Sequence, residues 1–507
     1  MSAVQHLAIV GRDAPLWLAA CVMQSALGPS GLRVTAVELP AGVDAADGHA
    51  ALPALEALHA RLRIDEGRLL AATRGAFTLG KQFQDATGQA APFFHAYGST
   101  GARIDHLEFL PQWIRARRFG MPVAYEDFCL TAAAARHGRM LVPDPEIEKH
   151  GFTDYGYHLP AIPYGAWLKQ LATRRGVTAH EACQVDVRLD ARTGDIAGLL
   201  LDGGRQVDGD FFIDASGHEA LLSTVIGAAR ESWRESFPAS RLLTAYAPQI
   251  PSLPVYADVR AGESGWLALY PNQACTLVEY AFSSETPDDV ALEQARHLSR
   301  MELQGARVRS REPARRVAWT RNCVAIGEAA CVFDAIHGVD LQAVQLGLVH
   351  LLPLFPVSAD FAVERAEYNQ NVQSAFERIR DFQTAHYALN RYGGAFWARG
   401  RLSPVRADLL RKIGVFRARG EVVHYEDETF SIADWQSLLL GHGVLPDSWD
   451  PAVDRSAPEV VQGEFKRILA FIRQKIEWQR SHAEYVQLLC TPSLLARGER
   501  APRNQTQ

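Results

Sequence analysis

The stretch AIVGRDAPLWLAA, residues 8–20, gives the first indication of the fold. An apolar run leads into Gly11, and apolar residues at helical spacing follow it. A strand, a tight glycine turn and a helix in this order form the layout of a dinucleotide-binding turn in an α/β domain. Only the first of the three usual glycines is present, so the stretch suits an ordinary first strand and helix of an α/β domain equally well.

The three positions of the Gly-x-Gly-x-x-Gly pattern are held by Gly11, Asp13 and Leu16. In the intact pattern the second glycine lets the backbone approach a pyrophosphate, and the third lets the helix pack on the strand. We expect the Asp13 carboxylate to cap the helix where the pyrophosphate charge would lie. Arg12 can partly compensate by pairing with a phosphate. The turn therefore predicts a nucleotide site with weakened binding.

A second feature of this region is Glu38, which closes the next predicted strand, residues 32–39. Its distance from Gly11 along the chain suits a carboxylate that binds a ribose hydroxyl. A solvent-facing glutamate at a strand end is the alternative.

The composition is that of an ordinary globular protein, and the net charge of -6 argues against nucleic acid or an anionic membrane surface as a partner. Seven scattered cysteines without a Cys-x-x-Cys pair predict reduced thiols and no metal site. Neither a signal segment nor an apolar run of membrane-spanning length is found in the sequence. We therefore expect a cytoplasmic protein that does not enter membranes.

The pattern along the chain predicts a cofactor and substrate domain at 1–350, a helical domain at 351–495 and a disordered tail at 496–507. The elements predicted in the first domain include a helix at 50–62, a strand at 75–83, a strand at 317–326 and a helix from Gly338 to residue 354.

Two later stretches favour a flavoprotein. One strand ends in Asp214-Ala215-Ser216-Gly217, which suits a turn near the adenosine half of a flavin nucleotide. Another ends in Gly327-Glu328, and Gly338 follows at a predicted helix start whose positive end suits a reduced flavin ring. The three signals together predict an α/β fold with an FAD-binding domain of flavoprotein-monooxygenase type and a mainly helical C-terminal domain.

Several stretches resemble the flavin-dependent tryptophan halogenases, and they follow the family's order from the N-terminal region to about residue 400. They are GAFTLGKQF (75–83), FFHAYG (93–98), GWLALYP (265–271), residues 319–334, and RDFQTAHY (380–387) followed by Phe396-Trp397.

The resemblance implies a halogenase-like fold and the family's scheme. Reduced FAD, supplied by a separate flavin reductase, reacts with oxygen and halide to make hypohalous acid. The acid travels through a tunnel to a lysine beside an aromatic small molecule such as an indole, and a nearby glutamate assists. A homodimer is left open.

The family's lysine falls on Thr78, and Lys81 lies three residues later. In a continuous strand this odd offset directs Lys81 to the opposite side, which favours a surface lysine. A bulge between the two positions would bring Lys81 back as the catalytic lysine.

The family's glutamate falls on His337. Histidine can act as a general base near neutral pH, although a side chain packed at a helix start is the alternative. The next residues are Gly338-Val339-Asp340, so a carboxylate lies near the place where the family holds halide, and we expect it to repel an anion.

The family's Trp-x-Trp-x-Ile-Pro motif becomes Trp266-Leu267-Ala268-Leu269-Tyr270-Pro271, which leaves a smaller barrier between flavin and substrate and could allow direct oxygen transfer. An aromatic substrate pocket is predicted, with ordinary core packing of the same rings as the alternative. The predicted pocket residues are Phe94, His95, Tyr97, Trp113 and Trp266.

The residues leave three hypotheses open: a halogenase with displaced catalytic groups, a flavin monooxygenase on the same fold, and a non-catalytic relative that binds a ligand or a partner. We interpret the chain as an FAD-dependent oxidoreductase of the halogenase family whose halogenating site is impaired. A catalytically silent paralogue is the alternative.

Overall fold

The computed structural model describes residues 4–148, 151–358 and 360–491. Its strands are β1 (His6–Gly11), β2 (Arg33–Glu38), β3 (Gly48–Ala51), β4 (Ala76–Thr78), β5 (Gly80–Asp85), β6 (Phe93–Ala96), β7 (Gly156–Pro160), β8 (Thr178–Glu181), β9 (Val185–Leu189), β10 (Ile196–Leu201), β11 (Gln206–Val207), β12 (Phe211–Ala215), β13 (Arg230–Ser232), β14 (Arg241–Ala247), β15 (Ala257–Gly262), β16 (Gly265–Pro271), β17 (Thr276–Phe282), β18 (Gln304–Ser310), β19 (Ala314–Arg316), β20 (Trp319–Thr320), β21 (Cys323–Ala325) and β22 (Cys331–Val332).

The helices are α1 (Asp13–Leu27), α2 (Ala54–Arg61), α3 (Glu66–Thr73), α4 (Phe109–Arg118), α5 (Leu130–Arg136), α6 (Pro145–Glu148), α7 (Ala161–Arg174), α8 (Leu221–Val225), α9 (Asp288–Ser299), α10 (Asp340–Leu351), α11 (Ala362–Leu389), α12 (Ala395–Arg401), α13 (Ala407–Arg419), α14 (Ile432–Gly441), α15 (Pro458–Trp478) and α16 (His482–Leu489).

A six-stranded sheet carries the first strand at its centre, in the order β20-β21-β12-β1-β2-β8. β1 pairs in parallel with β12 on one side and with β2 on the other, and α1 packs against β2 and α7. The apolar residues of β1 are fully buried, as expected for a parallel strand that is covered on both faces. The predicted strand, turn and helix at the N-terminus are therefore confirmed.

A seven-stranded sheet stands beside it, in the order β18-β14-β17-β16-β15-β5-β6. β5 joins this sheet by parallel pairing with β15, whereas β4 pairs with β7 in a separate three-stranded sheet. Residues 75–83 were predicted as one strand, and this prediction was wrong because the chain passes from one sheet to the other at Leu79. Gly80 has a φ of 148°, a conformation that side chains rarely adopt.

Three other element boundaries differ from the sequence predictions. The predicted helix at 50–62 begins only at Ala54, because residues 48–51 pair with β7 as β3. The strand at 317–326 is divided into β20 and β21, which form an antiparallel pair. The helix predicted from Gly338 starts at Asp340, since Gly338 takes a left-handed conformation and ends a short turn.

The C-terminal part is helical, as predicted, and its longest helices are α11 and α15. Buried residues of α11 belong to the same hydrophobic core as β1 and β5. The division into domains at residue 350 stays a prediction, and the predicted tail at 496–507 lies outside the described residues. Within the described ranges, no helix is both long and apolar enough to cross a membrane.

An ion pair inside the helical part offers a stability test. Lys412 of α13 pairs with Glu428, and both side chains are almost fully buried. The second carboxylate oxygen of Glu428 accepts a hydrogen bond from Trp435 Nε1 at 2.7 Å. Removing one partner of such a pair leaves an uncompensated charge in the interior.

We predict that Glu428→Gln lowers the free energy of unfolding by about 3–5 kcal/mol, since the buried Lys412 charge loses its partner. Urea unfolding followed by circular dichroism measures the change. Glu285→Gln is the control because Glu285 pairs with Arg399 on the surface, and it should leave the midpoint unchanged. Equal midpoints for both variants would contradict the prediction.

Candidate functional site

The carboxyl ends of β1, β2 and β12 meet at one edge of the six-stranded sheet. The strand registers pair Gly11 with both Glu38 and Ala215. A Cβ on Gly11 would lie 2.5 Å from the carbonyl oxygen of Ala215, so this glycine is required by close packing of the two strands. Ligands of open α/β sheets bind at this kind of edge, where the central strand has neighbours on both sides.

Asp13 does not cap α1, contrary to the sequence prediction. The N-cap residue is Arg12, and no side chain caps the helix. The Asp13 carboxylate turns instead to the loop after β2, where its Oδ2 accepts a hydrogen bond from Gly42 N at 2.9 Å. Asp13 has a φ of 56°, which glycine adopts more readily. Burial raises the pKa of Asp13 above its usual value.

The polar side chains around this turn are only partly engaged. One terminal nitrogen of Arg12 pairs with Glu219 at 2.8 Å, while its Nε is buried and has no hydrogen-bond partner among the described residues. Glu38 is not a free strand-end carboxylate, because it accepts a hydrogen bond from Trp17 Nε1 at 3.0 Å and pairs with Lys169. The predicted ribose acceptor is therefore already bound to two internal donors.

Asp214 organises the turn that follows β12. Its two carboxylate oxygens accept hydrogen bonds from Ser216 N at 3.1 Å and Ser223 N at 2.8 Å, and the side chain is fully buried. The role of Asp214 is thus to shape the turn at Gly217. A Cβ on Gly217 would meet only Glu328, at 4.0 Å, so the two late predicted stretches face each other across open space.

Glu328 and Asp340 share a buried guanidinium at the start of α10. Arg311 pairs with Asp340 at 2.6 Å and with Glu328 at 3.3 Å. The Arg311 charge holds the pKa of Asp340 below its usual value despite burial. The carboxylate that was expected to repel an anion therefore has its charge matched within the protein. Gly327 and Gly338 flank this cluster, both with positive φ.

Lys81 lies in the interior beside His337. Its Nζ donates to the carbonyl oxygen of Ile336 at 3.4 Å, and a Cβ on Gly338 would lie 3.5 Å from Nζ. The expectation from the odd offset was wrong because the passage between sheets at Leu79 interrupts the alternation of side chains. Burial lowers the pKa of Lys81 to about 8.

His337 is buried, and neither ring nitrogen has a hydrogen-bond partner among the described residues. Burial lowers its pKa well below the usual value, and the positive charge of Lys81 lowers it further. The imidazole is therefore neutral at physiological pH. It packs against Phe382, with ring centres 4.9 Å apart, as the packed-side-chain alternative expected. The general-base role of His337 stays a prediction.

Three further histidines surround His337. His95 lies 6.1 Å away and His386 5.5 Å away between ring centres, and His386 Nδ1 is 3.2 Å from His442 Nε2. His95 Nδ1 and His386 Nε2 have no partner among the described residues. The aromatic rings in contact with these histidines include Phe83, Phe93, Phe382, Phe430, Tyr97, Tyr387, Tyr392 and Trp397. No three metal-ligating side chains of the described ranges are arranged to hold an ion.

The residues predicted to line an aromatic pocket do not all lie together. His95 and Tyr97 join the cluster, but Phe94 points to the other face of β6 and contacts Tyr256. Trp113, in the middle of α4, packs on Tyr125 with ring centres 5.3 Å apart and makes no ring contact with the histidines of the cluster among the described residues.

Trp266 is linked to the cluster through hydrogen bonds. Its Nε1 donates to the Tyr387 hydroxyl at 2.9 Å, and that hydroxyl donates to Asp334 at 2.9 Å. Asp334 in turn accepts from Ile336 N, so the chain of hydrogen bonds fixes the loop that carries Ile336 and His337.

Sequence reasoning missed His386 and His442 as members of this cluster. The two histidines lie on separate helical segments whose packing is set by tertiary structure.

The sheet edge at Gly11 is the kind of edge at which open α/β sheets bind nucleotide cofactors. The tryptophan halogenase family model matches residues 6–458. The chain belongs to the tryptophan halogenase family, in which FAD is the cofactor, and the predicted family and fold are confirmed.

Individual relatives support this assignment. Xcc4156, a flavin-dependent halogenase from Xanthomonas campestris, superposes with a TM-score of 0.91 at 29% identity over 96% of this chain and 99% of that one. Tryptophan 7-halogenase KtzQ from Kutzneria sp. is 25% identical over 94% of this chain and 95% of its own. Tryptophan 7-halogenase RebH from Lentzea aerocolonigenes is 26% identical, and the match spans 59% of this chain and 61% of that protein.

The sheet edge fits the FAD of this family. The uncapped start of α1 and the unpartnered Arg12 Nε are donors for a pyrophosphate, and the space beside Gly217 is open. The Asp13 carboxylate opposes the charge of the same group.

We predict that Asp13→Asn lowers the dissociation constant of FAD about tenfold, because it removes a half-buried negative charge beside the phosphates. Asparagine keeps the acceptor for Gly42 N and tolerates positive φ. Quenching of flavin fluorescence measures the affinity. Since burial raises the pKa of Asp13, binding to the unmodified protein should also tighten as pH falls, and the variant should lose this dependence.

The matched control is Asp186→Asn, which removes an exposed carboxylate from β9. If Asp13→Asn and this control bind FAD with equal affinity, the Asp13 carboxylate does not face the phosphates.

Proposed function

We propose that the protein is an FAD-dependent oxidoreductase that acts with oxygen on an aromatic, indole-like substrate, and that Lys81 and His337 form its reaction centre. The observation that carries the proposal is the approach of the buried Lys81 ammonium to the loop at Ile336 and Gly338, directly beside His337. A flavin reductase is the proposed source of reduced FAD. When bound, reduced FAD supplies two electrons to oxygen and so generates the oxidant.

Lys81 suits the role of a cationic donor. In a dry site an ammonium group holds and polarises the oxygen of an oxidant more strongly than in water. The carbonyl oxygen of Ile336 orients the ammonium and leaves its other protons free for that oxygen.

His337 suits the role of a general base. The lowered pKa keeps the imidazole unprotonated, and both nitrogens lack a partner in the described part of the chain. When a new bond forms on an aromatic carbon, that carbon must lose its proton, and the free imidazole nitrogen can accept it. The surrounding phenylalanine rings favour a flat aromatic substrate.

We propose that halogenation is impaired relative to oxygen transfer. A neutral imidazole stands at the position of the family's glutamate, so the charge pair of lysine and carboxylate is altered there. At the start of α10, Asp340 already neutralises Arg311, which leaves little positive charge for a halide.

A silent paralogue that binds a ligand or a partner is the second candidate. The observation in its favour is the sheet edge, where Glu38 is bound by Trp17 and Lys169 and Asp13 is bound by Gly42 N. Titration with oxidised and with reduced FAD separates the candidates, because absence of binding at tens of micromolar leaves only the silent one.

The reaction itself is tested with FAD, NADH, a flavin reductase and a panel of indoles, in the presence and absence of bromide. Oxygenated product without halide dependence supports the proposal. Brominated product formed at a comparable rate would overturn the impairment of halogenation.

We predict that Lys81→Met lowers product formation at least 10²-fold, as expected when a positioned charged donor is lost. Methionine fills similar volume without the charge. Thr78→Val is the matched control: Thr78 occupies the family's lysine position, but its hydroxyl bonds only locally, to Gly80 O at 3.0 Å. Product formation that survives Lys81→Met but is lost in Thr78→Val would contradict the assignment of this role to Lys81.

We predict that kcat/KM falls as pH rises through about 8, the pKa of buried Lys81. The ammonium is the active form, so activity is present below this pKa and is lost above it. The profile is measured with flavin reductase in excess. Lys81→Arg should remove the alkaline fall because a guanidinium keeps its proton. A flat profile for the unmodified protein would contradict the assignment of Lys81.

A further inference from the structure

Glu279 shares the face of the seven-stranded sheet that carries Lys81. Phe83, two residues after Lys81, pairs with Val259, Val259 pairs with Ala268, and Ala268 pairs with Glu279. Residues directly opposite each other in neighbouring strands point to the same face. The carboxylate therefore projects into the same interior space as the ammonium, and the small side chain of Ala268 leaves room for it.

Tyr270 connects the two groups. It lies two residues after Ala268 and so points to the same face. Its hydroxyl donates to Glu279 Oε2 at 3.2 Å, and Lys81 Nζ lies 5.8 Å from the centre of its ring. The phenol thus holds the carboxylate at one end and presents its π face to the ammonium.

The charge of Glu279 is not matched by a cation in direct contact. Within the described ranges, no lysine or arginine nitrogen lies at ion-pair distance from it. The other charged groups that face it are Arg311, Arg309, Asp340 and Lys81, and Arg311 and Arg309 are paired with Asp340 and Asp47. Glu279 is therefore an interior carboxylate without an ion pair in contact in the described part of the chain, and Lys81 is one of the cations on which its charge acts, with Arg311 and Arg309.

The charges of Lys81 and Glu279 shift each other's pKa in the direction expected for neighbouring opposite charges. Burial lowers the pKa of Lys81, and the negative charge of Glu279 is the larger of the two influences that raise it again, with Asp340 second. Burial raises the pKa of Glu279, and Lys81 contributes to lowering it. Each group thus favours the charged form of the other.

We propose that Glu279, held by the Tyr270 hydroxyl, is the positioning residue that keeps the Lys81 ammonium charged beside His337 and Gly338. It supplies from β17 the negative charge that the neutral His337 does not provide. The catalytic consequence rests on the proposed function, whereas the effect on Lys81 does not.

The test uses the full-length protein labelled with 13Cε-lysine. The chain has six lysines, at positions 81, 149, 169, 412, 466 and 475, so the spectrum is simple. Lys81→Arg assigns the signal, and its chemical shift against pH gives the pKa. We expect Glu279→Gln to lower the pKa of Lys81 by about one pH unit, as the loss of a nearby charge predicts. Glu302→Gln, which changes an exposed glutamate, is the matched control and should leave it unchanged.

Tyr270→Phe is the second variant. It keeps the ring beside the ammonium and removes only the hydroxyl that holds Glu279, so it should lower the lysine pKa in the same direction by a smaller amount. Tyr270→Phe also tests the proposal if the Glu279→Gln variant does not fold. An unchanged Lys81 titration in the folded variants would overturn the proposal. Since no turnover is measured, this result is distinct from a failure of the proposed function.

Discussion

The passage of the chain from one sheet to another at Leu79 and Gly80 is the constraint on which the site depends. A Cβ on Gly80 would lie 2.2 Å from the carbonyl oxygen of His95, and its φ of 148° disfavours any other residue. The next residue, Lys81, enters the seven-stranded sheet opposite His95. Because directly paired residues share a face, the position of one glycine brings the lysine and the histidine to the same side. If residues 75–83 had formed one continuous strand, Lys81 would have pointed away from His337.

Charge matching explains why so many ionisable groups can be buried around this centre. Arg311 neutralises Asp340 and approaches Glu328, and Arg309 pairs with Asp47 at 2.9 Å. His337, His386 and His442 avoid the cost of buried charge by staying neutral, as their lowered pKa values indicate. Lys81 is the exception: in the described part of the chain, its ammonium donates to a carbonyl oxygen and lies over the ring of Tyr270 without a carboxylate at ion-pair distance. Because no carboxylate of the described ranges contacts the Lys81 charge, the more distant carboxylate of Glu279 on the same sheet face matters.

The fold could be predicted from the sequence because its signals are local. The strand and helix around Gly11, the turn at Gly217 and the helical C-terminal part each follow from apolar spacing and turn residues. Site residues could be predicted only where they belong to these local motifs. Alternation failed at Lys81 because a change of sheet is a tertiary event that one strand pattern does not reveal. Capping by Asp13 failed because Gly42 N, far along the chain, competes for the carboxylate. His386 and His442 meet only through the packing of α11 against α14.

The sheet edge and the interior cluster differ in how their polar groups are satisfied. At the sheet edge, Gly42 N binds Asp13, and Trp17 with Lys169 binds Glu38. A nucleotide that binds at this edge must displace or share these partners. In the interior, His337 and Lys81 keep unused hydrogen-bonding capacity although both are buried. Buried polar groups without partners are costly, so the two nitrogens of His337, unpartnered among the described residues, carry an energetic cost beside the Lys81 ammonium. The proposed reaction centre gives this cost a function, whereas at the sheet edge the internal partners of Asp13 and Glu38 would compete with the proposed cofactor.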